Sequence, residues 1–297
     1  MNWIKRTALI ATVVLVSGAF VYGISTENKN KITHEGTKLF FPTNIDFAGE
    51  DAPLYISDVR ERLDRELLIN ANLDATTLLI IKRANRVFPI IEPILAKNGV
   101  PDDFKYLAVI ESGLVNAVSP AGARGVWQFM PVTAKEKGME VNDMVDERYH
   151  LEKSTEAACK YLLDAKAKFG SWTLAAASYN GGMTGVNKQI EMQQVSNYYD
   201  LLLNDETSRY VFRILALKEI MKDPVKYGFV IEPNDLYVNL PSKIITVDTT
   251  INDLAAFAKM QGINYKILKI HNPWLRDKKL LNISRKKYEI AIPLSGY

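Results

Sequence analysis

Glu111 stands where a carboxyl group could act as a general acid. It ends an apolar helical pattern formed by Leu107, Ile110 and Leu114, directly before a loop rich in glycine. Partial burial disfavours the anion of a carboxyl group and raises its pKa, so that the group can donate a proton near neutral pH. Taken alone, Glu111 is more simply interpreted as an idle glutamate, because most glutamates at the end of a helix are solvated.

The loop after Glu111 carries groups that suit a sugar ligand. Three of its residues between 113 and 125 are glycine, which lets the backbone come close to a ligand. Gln128 can donate and accept hydrogen bonds, as sugar hydroxyl and N-acetyl groups require. Trp127 and Phe129 offer flat apolar faces to a sugar, or else belong to the hydrophobic core.

Two later segments place further polar side chains on predicted helices. Tyr179 and Asn180 follow a run of alanines and precede two glycines, which indicates tight helix packing beside an opening. Glu206 and Tyr210 are spaced so that an acid and a second phenol share one face of a helix. These four side chains are candidates for the same site as Glu111.

Composition and motifs exclude several other chemistries. The histidines, His34, His150 and His271, are far apart and no cysteines are paired, so we predict no metal site. No Walker loop or dinucleotide fingerprint occurs, and no cofactor is expected. Lysine and arginine total 37 against 34 acidic residues, and a net charge of +3 argues against a nucleic-acid partner. The single cysteine, Cys159, excludes an internal disulfide bond and is predicted to be buried.

The elements that must position these residues are predominantly helical. Almost no alternation of period two occurs between Asp51 and Asp223, whereas apolar residues recur at helical spacing. Phe88-Pro89 and Glu92-Pro93 are expected to interrupt a helix, because the residue before proline avoids helical backbone. Pro101 is expected to open the helix that carries Glu111. The fold class predicted for this region is mainly α.

The composition changes after Pro224 and predicts a small separate module. A β-branched stretch at 243–247 reads as a strand, and Thr250 and Asp253 have capping-box spacing before a helix. A second helix around 265–270 ends at Asn272-Pro273, and the alternating stretch YEIAIP predicts a final strand. The order is therefore β-α-α-β.

The N-terminus is typical of an exported protein. Lys5 and Arg6 precede an uncharged apolar run at residues 8–24, which fits a signal peptide or a membrane anchor. We favour an uncleaved anchor with Lys5 and Arg6 on the cytoplasmic side, because no convincing cleavage site follows. The polar residues 26–50 are expected to form a tether.

Three ordered motifs resemble those of the lytic transglycosylases with a goose-lysozyme-like SLT domain, in particular their membrane-bound D-type branch. The first begins with Glu111-Ser112 and continues through S-x-x-G-A-x-G and Q-x-M-P to Ala134. The second, A-x-x-Y-N-G-G, occupies residues 176–182, and the third, E-T-x-x-Y-V, occupies residues 206–211. The likeness to the D-type branch extends from about Leu54 to Lys222.

The resemblance implies a lysozyme-like helical domain and a role for each motif. Glu111 is implied to protonate the glycosidic oxygen between N-acetylmuramic acid and N-acetylglucosamine, and then to take the proton of the C6 hydroxyl as it attacks C1. The product is a 1,6-anhydromuramic end, formed without water. Tyr210 is implied to lie near the acid. The residues implied to line the sugar groove are Ser119, Gln128, Met130, Tyr179, Asn180 and Glu206.

Residues 244–293 resemble a LysM domain, a β-α-α-β unit that binds glycans containing N-acetylglucosamine. Residues 247–250 stand where a glycine–aspartate pair usually precedes the first helix, and glycan binding by this module is open. Its many lysine and arginine residues form either a solvated face or a surface that attracts anionic stem peptides and other acidic envelope polymers.

The expected organisation follows from these readings. It comprises a signal peptide or anchor at 1–25, a tether at 26–50, the lysozyme-like transglycosylase domain at 51–225, a linker at 226–240 and the LysM-like module at 241–297. The expected partners are peptidoglycan strands and, through the N-terminal segment, a membrane; no cell-wall synthesis or division protein is identified.

Two other functions stay open. A hydrolytic muramidase would use the same Glu111 with a second carboxylate, Asp205 or Glu206, to position water. An inactive peptidoglycan-binding protein would keep the LysM-like module without catalysis. For the transglycosylase itself, the choice between cleavage at strand ends and within strands is also open.

Overall fold

The computed structural model describes residues 39–297, and this part of the chain is mainly helical, as the periodicity predicts. The larger part contains α1 (Ser57–Asn72), α2 (Asp74–Lys97), α3 (Lys105–Ser112), α4 (Pro131–Glu136), α5 (Leu151–Phe169), α6 (Trp172–Gly181), α7 (Met183–Gln193) and α8 (Asp205–Lys222). A short hairpin, β1 (Asp46–Phe47) and β2 (Glu50–Asp51), precedes them. The C-terminal part contains β3 (Ser242–Val247), α9 (Leu254–Met260), α10 (Tyr265–His271) and β4 (Tyr288–Pro293).

Helix α8 lies at the centre of the larger part, against α1, α3 and α6. Its buried residues recur at helical spacing, and Tyr210, Val211, Ile214 and Leu215 are all shielded from solvent. Helix α6 also packs against α5 and α7, and its run of alanines, 175–177, is fully buried. Small side chains let these helices approach closely, which confirms the tight packing predicted before Tyr179.

Helix α2 continues through both Pro89 and Pro93, so the predicted interruption is wrong. Each proline removes one helical hydrogen bond, but Asn85, Pro89 and Pro93 all lie on the exposed face, where water can satisfy the freed carbonyl groups. The opposite face carries a buried stripe that packs on α5. That burial outweighs the local preference of the residues before proline.

The segment before residue 51, where no regular element was expected, contains the β1–β2 hairpin. Phe47 is fully buried and meets Phe104 edge to face, with ring centroids 4.9 Å apart. The Glu50 carboxylate accepts hydrogen bonds from the backbone N–H of Trp172 (2.6 Å) and of Thr173 (2.9 Å), so it caps the start of α6. Burial opposes this anion, but the Thr173 hydroxyl, together with these N–H groups, holds the pKa of Glu50 down at about 2.

Pro101 precedes a 3-10 turn, Asp102–Phe104, which leads directly into α3. The expected helix therefore begins with a tighter first turn. Its apolar residues Leu107 and Ile110 are buried, and Glu111 lies in its last turn.

The C-terminal part has the predicted β-α-α-β order. Strands β3 and β4 pair antiparallel, with Lys243 opposite Ile292 and Val247 opposite Tyr288. The predicted capping box does not form, because the Asp253 carboxylate itself caps α9 by accepting from the N–H groups of Ala255 and Ala256. Thr250 instead accepts a hydrogen bond from the N–H of Asn282.

The hydrophobic core of this module includes residues from the segment before α5. Val145 and Tyr149 are buried in one cluster with Leu268, Trp274 and Ile290, and Met144 packs against it. The preceding connection also contacts helix α2, since the N–H of Tyr237 donates to the carbonyl of Lys82 at 3.1 Å. The division into tether, domain, linker and module at residues 50, 225 and 240 stays a prediction.

The predicted membrane anchor at residues 8–24 lies outside the described residues. Within residues 39–297, none of the helices combines the length and hydropathy that crossing a bilayer requires.

Candidate active site

Glu111 lies where α3 ends and the chain turns sharply. Gly113 adopts φ +60° and donates its N–H to the carbonyl of Val109 at 2.8 Å, which ends the helix. Leu114 follows with φ +62° and is buried. The turn leaves Glu111 partly exposed at the boundary between the helix and the loop.

Tyr210 of α8 donates its hydroxyl hydrogen to the Glu111 carboxylate, across 99 residues of sequence. The Tyr210 side chain is 1% exposed, so this donor is held rigidly within the core. The predicted proximity of Glu111 and Tyr210 is therefore present in the structure. Tyr210 donates to one carboxyl oxygen of Glu111 from the protein interior, so the other oxygen can contact a ligand.

The environment raises the pKa of Glu111 to about 7. Burial is the largest cause, and the negative charge of Glu206 acts in the same direction. The hydrogen bond from Tyr210 and the positive charge of Arg213 oppose the shift. At this pKa a sizeable fraction of Glu111 is protonated near neutral pH, as a general acid must be.

The glycine-rich loop, residues 113–130, is held against a buried arginine. Arg148 donates to the carbonyls of Gly122 (3.1 Å) and Phe129 (3.2 Å) and forms two hydrogen bonds with the Asp146 carboxylate. Gly125 adopts φ +84°, and a Cβ there would lie 1.8 Å from the carbonyl oxygen of Arg148. Only glycine fits at this position, because the two backbones touch.

Two of the predicted groove residues shape this loop from within. Ser119 accepts a hydrogen bond from the N–H of Ala123 on its hydroxyl at 3.0 Å. Gln128 adopts φ +49° and donates its side-chain amide to the carbonyls of Ala117 (3.1 Å) and Gly125 (2.7 Å). Met130 lies at the end of the loop and is 42% exposed, so it is accessible to a ligand.

Trp127 and Phe129 belong to the core, which decides between the two roles considered for them. Trp127 is fully buried, and its indole N–H donates to the Thr155 hydroxyl at 2.8 Å. Phe129 meets Tyr179 edge to face, with ring centroids 5.8 Å apart. Neither ring presents a free face to a sugar.

Tyr179 and Asn180 link α6 to the other two motifs. The Tyr179 hydroxyl donates to the carbonyl of Trp127 at 2.8 Å. Burial raises the pKa of this phenol, and the negative charge of Glu111 acts in the same direction. Asn180 donates to the Glu206 carboxylate at 3.0 Å and accepts from the Thr207 hydroxyl at 2.7 Å. The three motifs are therefore joined by direct hydrogen bonds.

The two candidates for a second carboxylate differ in their surroundings. Glu206 is exposed and lies close enough to Glu111 to raise its pKa. Asp205 faces Arg209, with the charged atoms 3.7 Å apart. Arg209 in turn donates to the buried Glu66.

Sequence reasoning predicted no role for three residues that shape the site. Ser112 donates its hydroxyl hydrogen to the carbonyl of Val126 at 2.8 Å and so ties the helix end to the loop. Arg213 donates to the carbonyl of Ile110 at 3.0 Å and lowers the pKa of Glu111. Arg213 could have been found from the sequence, because it lies three residues after Tyr210 and therefore on the same face of α8. Arg148, which clamps the loop, lies in the stretch DERYHLEKS that contributes to the resemblance, but no role was predicted for it.

The whole arrangement can transfer one proton to a ligand bound along the loop. One carboxyl group has a pKa near neutrality and accepts a hydrogen bond from a buried phenol, and the loop that follows it is anchored by Gln128 and Arg148. Among residues 39–297, no three histidine, cysteine, aspartate or glutamate side chains group as a metal site.

Comparison with known proteins supports the same reading. Residues 88–201 match the family model described as the transglycosylase SLT domain. Residues 243–296 match that of the soluble lytic transglycosylase C-terminal LysM-like domain. Over 248 residues the chain is 28% identical to the membrane-bound lytic murein transglycosylase D of Escherichia coli strain K12, and equally to that of Escherichia coli O6:H1 strain CFT073.

These relatives are longer proteins. The alignment covers 79% of this chain but 52% of each relative, so the chain spans about half the length of the curated relatives it matches. The glycine-rich loop and the 176–182 motif lie within the matched SLT region, whereas the 206–211 motif follows it. The chain therefore carries a transglycosylase SLT domain and a C-terminal LysM-like domain, and it is homologous to membrane-bound lytic murein transglycosylase D.

Proposed function

We propose that this protein is a lytic transglycosylase that cleaves the β-1,4 bond between N-acetylmuramic acid and N-acetylglucosamine in peptidoglycan. The observation that carries the proposal is Glu111, a carboxyl group with a pKa of about 7 that accepts a hydrogen bond from the buried Tyr210. The SLT domain and the relatives of that name support the substrate class.

In the proposed reaction, protonated Glu111 donates its proton to the glycosidic oxygen as the bond to C1 breaks. The resulting carboxylate then takes the proton of the C6 hydroxyl of the muramic acid, whose oxygen forms the new bond to C1. The nucleophile belongs to the sugar that reacts, so proximity replaces an activated water. Glu111 ends the cycle protonated, ready for the next bond.

The proposed groove residues act around this step. Tyr210 orients the Glu111 carboxyl, and Ser119 and Gln128 hold the loop so that its backbone can meet the sugar. Met130, Tyr179, Asn180 and Glu206 are proposed to form the walls of the groove. The Asn180–Glu206 hydrogen bond supports a fixed wall and gives Glu206 a role other than activating water.

We further propose that the enzyme works in the cell envelope, held by residues 8–24 to a membrane. The apolar run behind Lys5 and Arg6 and the membrane-bound relatives support this location. Its partner is then the peptidoglycan strand, engaged by the SLT domain.

Mass spectrometry of murein digested by the purified protein without residues 1–38 tests the reaction. We expect anhydromuramic ends, one water lighter than hydrolysis products, and none from a Glu111→Gln variant. Glu111→Gln keeps the size of the side chain but removes the acid. Reducing ends would instead indicate a hydrolytic muramidase, with Glu206 as the first candidate for the second carboxylate. Binding without cleavage by either protein would refute catalysis.

A further inference from the structure

The LysM-like module contacts residues 140–150, which hold the glycine-rich loop and are here called the clamp segment. The two backbones pair, since the N–H of Asp146 donates to the carbonyl of Trp274 at 2.9 Å and that of Arg276 donates to the carbonyl of Met144 at 2.7 Å. The clamp segment also supplies Val145 to the buried core of the module.

Side chains strengthen the same contact. Lys286 donates to the carboxylates of Glu140 (2.6 Å) and Glu147 (3.1 Å), and Tyr288 donates to Glu140 at 3.0 Å. Trp274 stacks between His150 and Tyr288, with centroid distances of 5.8 and 5.7 Å. Glu147 is 4% exposed and pairs with both Lys286 and Lys153, so loss of Lys286 would leave this buried carboxylate with Lys153 as its one remaining cation.

The other side of the clamp segment holds the glycine-rich loop. Asp146 takes part in both contacts, because its backbone pairs with the module while its carboxylate fixes the guanidinium of Arg148 at 2.8 and 2.7 Å. Arg148 then donates to Gly122 and Phe129 of the loop. The module is thus linked to the glycine-rich loop by a short chain of buried polar contacts through Asp146 and Arg148.

We propose that the LysM-like module positions the glycine-rich loop through the clamp segment, with Lys286 and Asp146 as positioning residues. The kinetic part of this inference rests on the proposed transglycosylase function, whereas the structural part does not. A module that only tethered glycan would need neither the backbone pairing nor the buried carboxylates that face it. The module is therefore a structural part of the catalytic centre.

Lys286→Met tests the connection, and Lys287→Met is its matched control. Both variants remove one exposed lysine from the same loop, but of these two lysines only Lys286 contacts Glu140 and Glu147. Hydrogen exchange of the backbone amides in residues 117–129 is the first readout. We expect faster exchange there in Lys286→Met, unchanged exchange in Lys287→Met, and recovery in Lys286→Arg.

The second readout is kinetic, with soluble murein glycan fragments as substrate. We expect kcat of Lys286→Met to fall about three- to thirty-fold with little change in KM, since positioning rather than binding is lost. Unchanged exchange at residues 117–129, or a raised KM with kcat retained, would overturn the proposal. If the wild-type protein forms no anhydromuramic product, the proposed function fails, and the exchange experiment alone still decides the connection.

Discussion

At the scale of single residues, two opposing sets of interactions determine the pKa of Glu111. Burial raises the pKa of Glu111, while the Tyr210 hydrogen bond and the charge of Arg213 limit that rise. The balance at a pKa of about 7 suits a group that must donate and later accept the same proton.

The pH dependence of kcat/KM should reveal the raised pKa of Glu111. Glu111 must be protonated to act first as an acid, so kcat/KM should fall about ten-fold per pH unit above pH 7. Tyr210→Phe removes a bond that favours the anion, so the alkaline limb should move to higher pH while the maximal rate falls about ten- to one hundred-fold. Tyr265→Phe, at an exposed position in α10, should change neither. A limb that moves to lower pH in Tyr210→Phe would contradict the assignment.

Glu111 should also reduce the stability of the folded protein at alkaline pH. Its pKa is raised from 4.5 to about 7 on folding, so the folded state loses stability as pH rises from about 4.5 through 7. Glu111→Gln lacks this titration and should be more stable than the wild type by about 1–3 kcal/mol at pH 8, with no such gain at pH 4. Urea unfolding of both proteins at the two pH values measures the difference. An equal effect at pH 4 and pH 8 would show that burial does not shift this group.

At the scale of elements, the active site forms where a helix end meets a loop that has no regular structure. Ser112 and Tyr179 donate to the carbonyls of Val126 and Trp127, and Arg148 holds the loop from behind. These bonds hold the carbonyl groups of Gly122, Val126 and Trp127, so the loop behaves as a fixed wall. Its geometry depends on Gly125, a position where only glycine fits.

Gly125→Ala tests this dependence. The added Cβ would lie 1.8 Å from the Arg148 carbonyl oxygen, at a φ of +84° that alanine disfavours, so the loop must shift. We expect a loss of roughly 1–3 kcal/mol in unfolding free energy and about a hundred-fold loss in kcat/KM. Gly185→Ala in α7 is the control, because its Cβ would meet open space. Retention of full activity by Gly125→Ala would show that the loop does not set the position of the groove.

At the scale of the whole molecule, residues 40–297 form one compact unit in which the C-terminal module shares its core with the clamp segment. Two modules joined only by a linker would unfold independently. Shared burial and backbone pairing should instead couple their stabilities.

Leu268→Ala examines this coupling from within the module. Leu268 is fully buried in α10, and its truncation should cost about 2–5 kcal/mol. We expect calorimetry of residues 39–297 to show one transition, shifted as a whole to lower temperature. Leu294→Ala, at an exposed position in the same module, should shift it little. Two separate transitions, with the larger one unmoved, would show that the SLT domain and the module are independent.

The sequence by itself determined the residue types of the site and most elements that carry them. Glu111, the glycine-rich loop, Tyr179-Asn180 and Tyr210 stand in recognisable motifs, because each motif is local and its spacing sets helix faces and turns. The β-α-α-β order and the helix ending after Glu111 also follow from local patterns. The pairing of Glu111 with Tyr210 was expected only through resemblance, since contacts 99 residues apart leave no periodic signal.

Only the tertiary structure decided the features that depend on packing between distant segments. Helix α2 passes through two prolines because its other face is buried, and the β1–β2 hairpin forms because Phe47 fills the core while Glu50 caps α6. Trp127 became a core residue, and Arg148 and the LysM-like module came to hold the loop. Burial and long-range hydrogen bonding select these arrangements over local preference, and neither is encoded in a short stretch of residues.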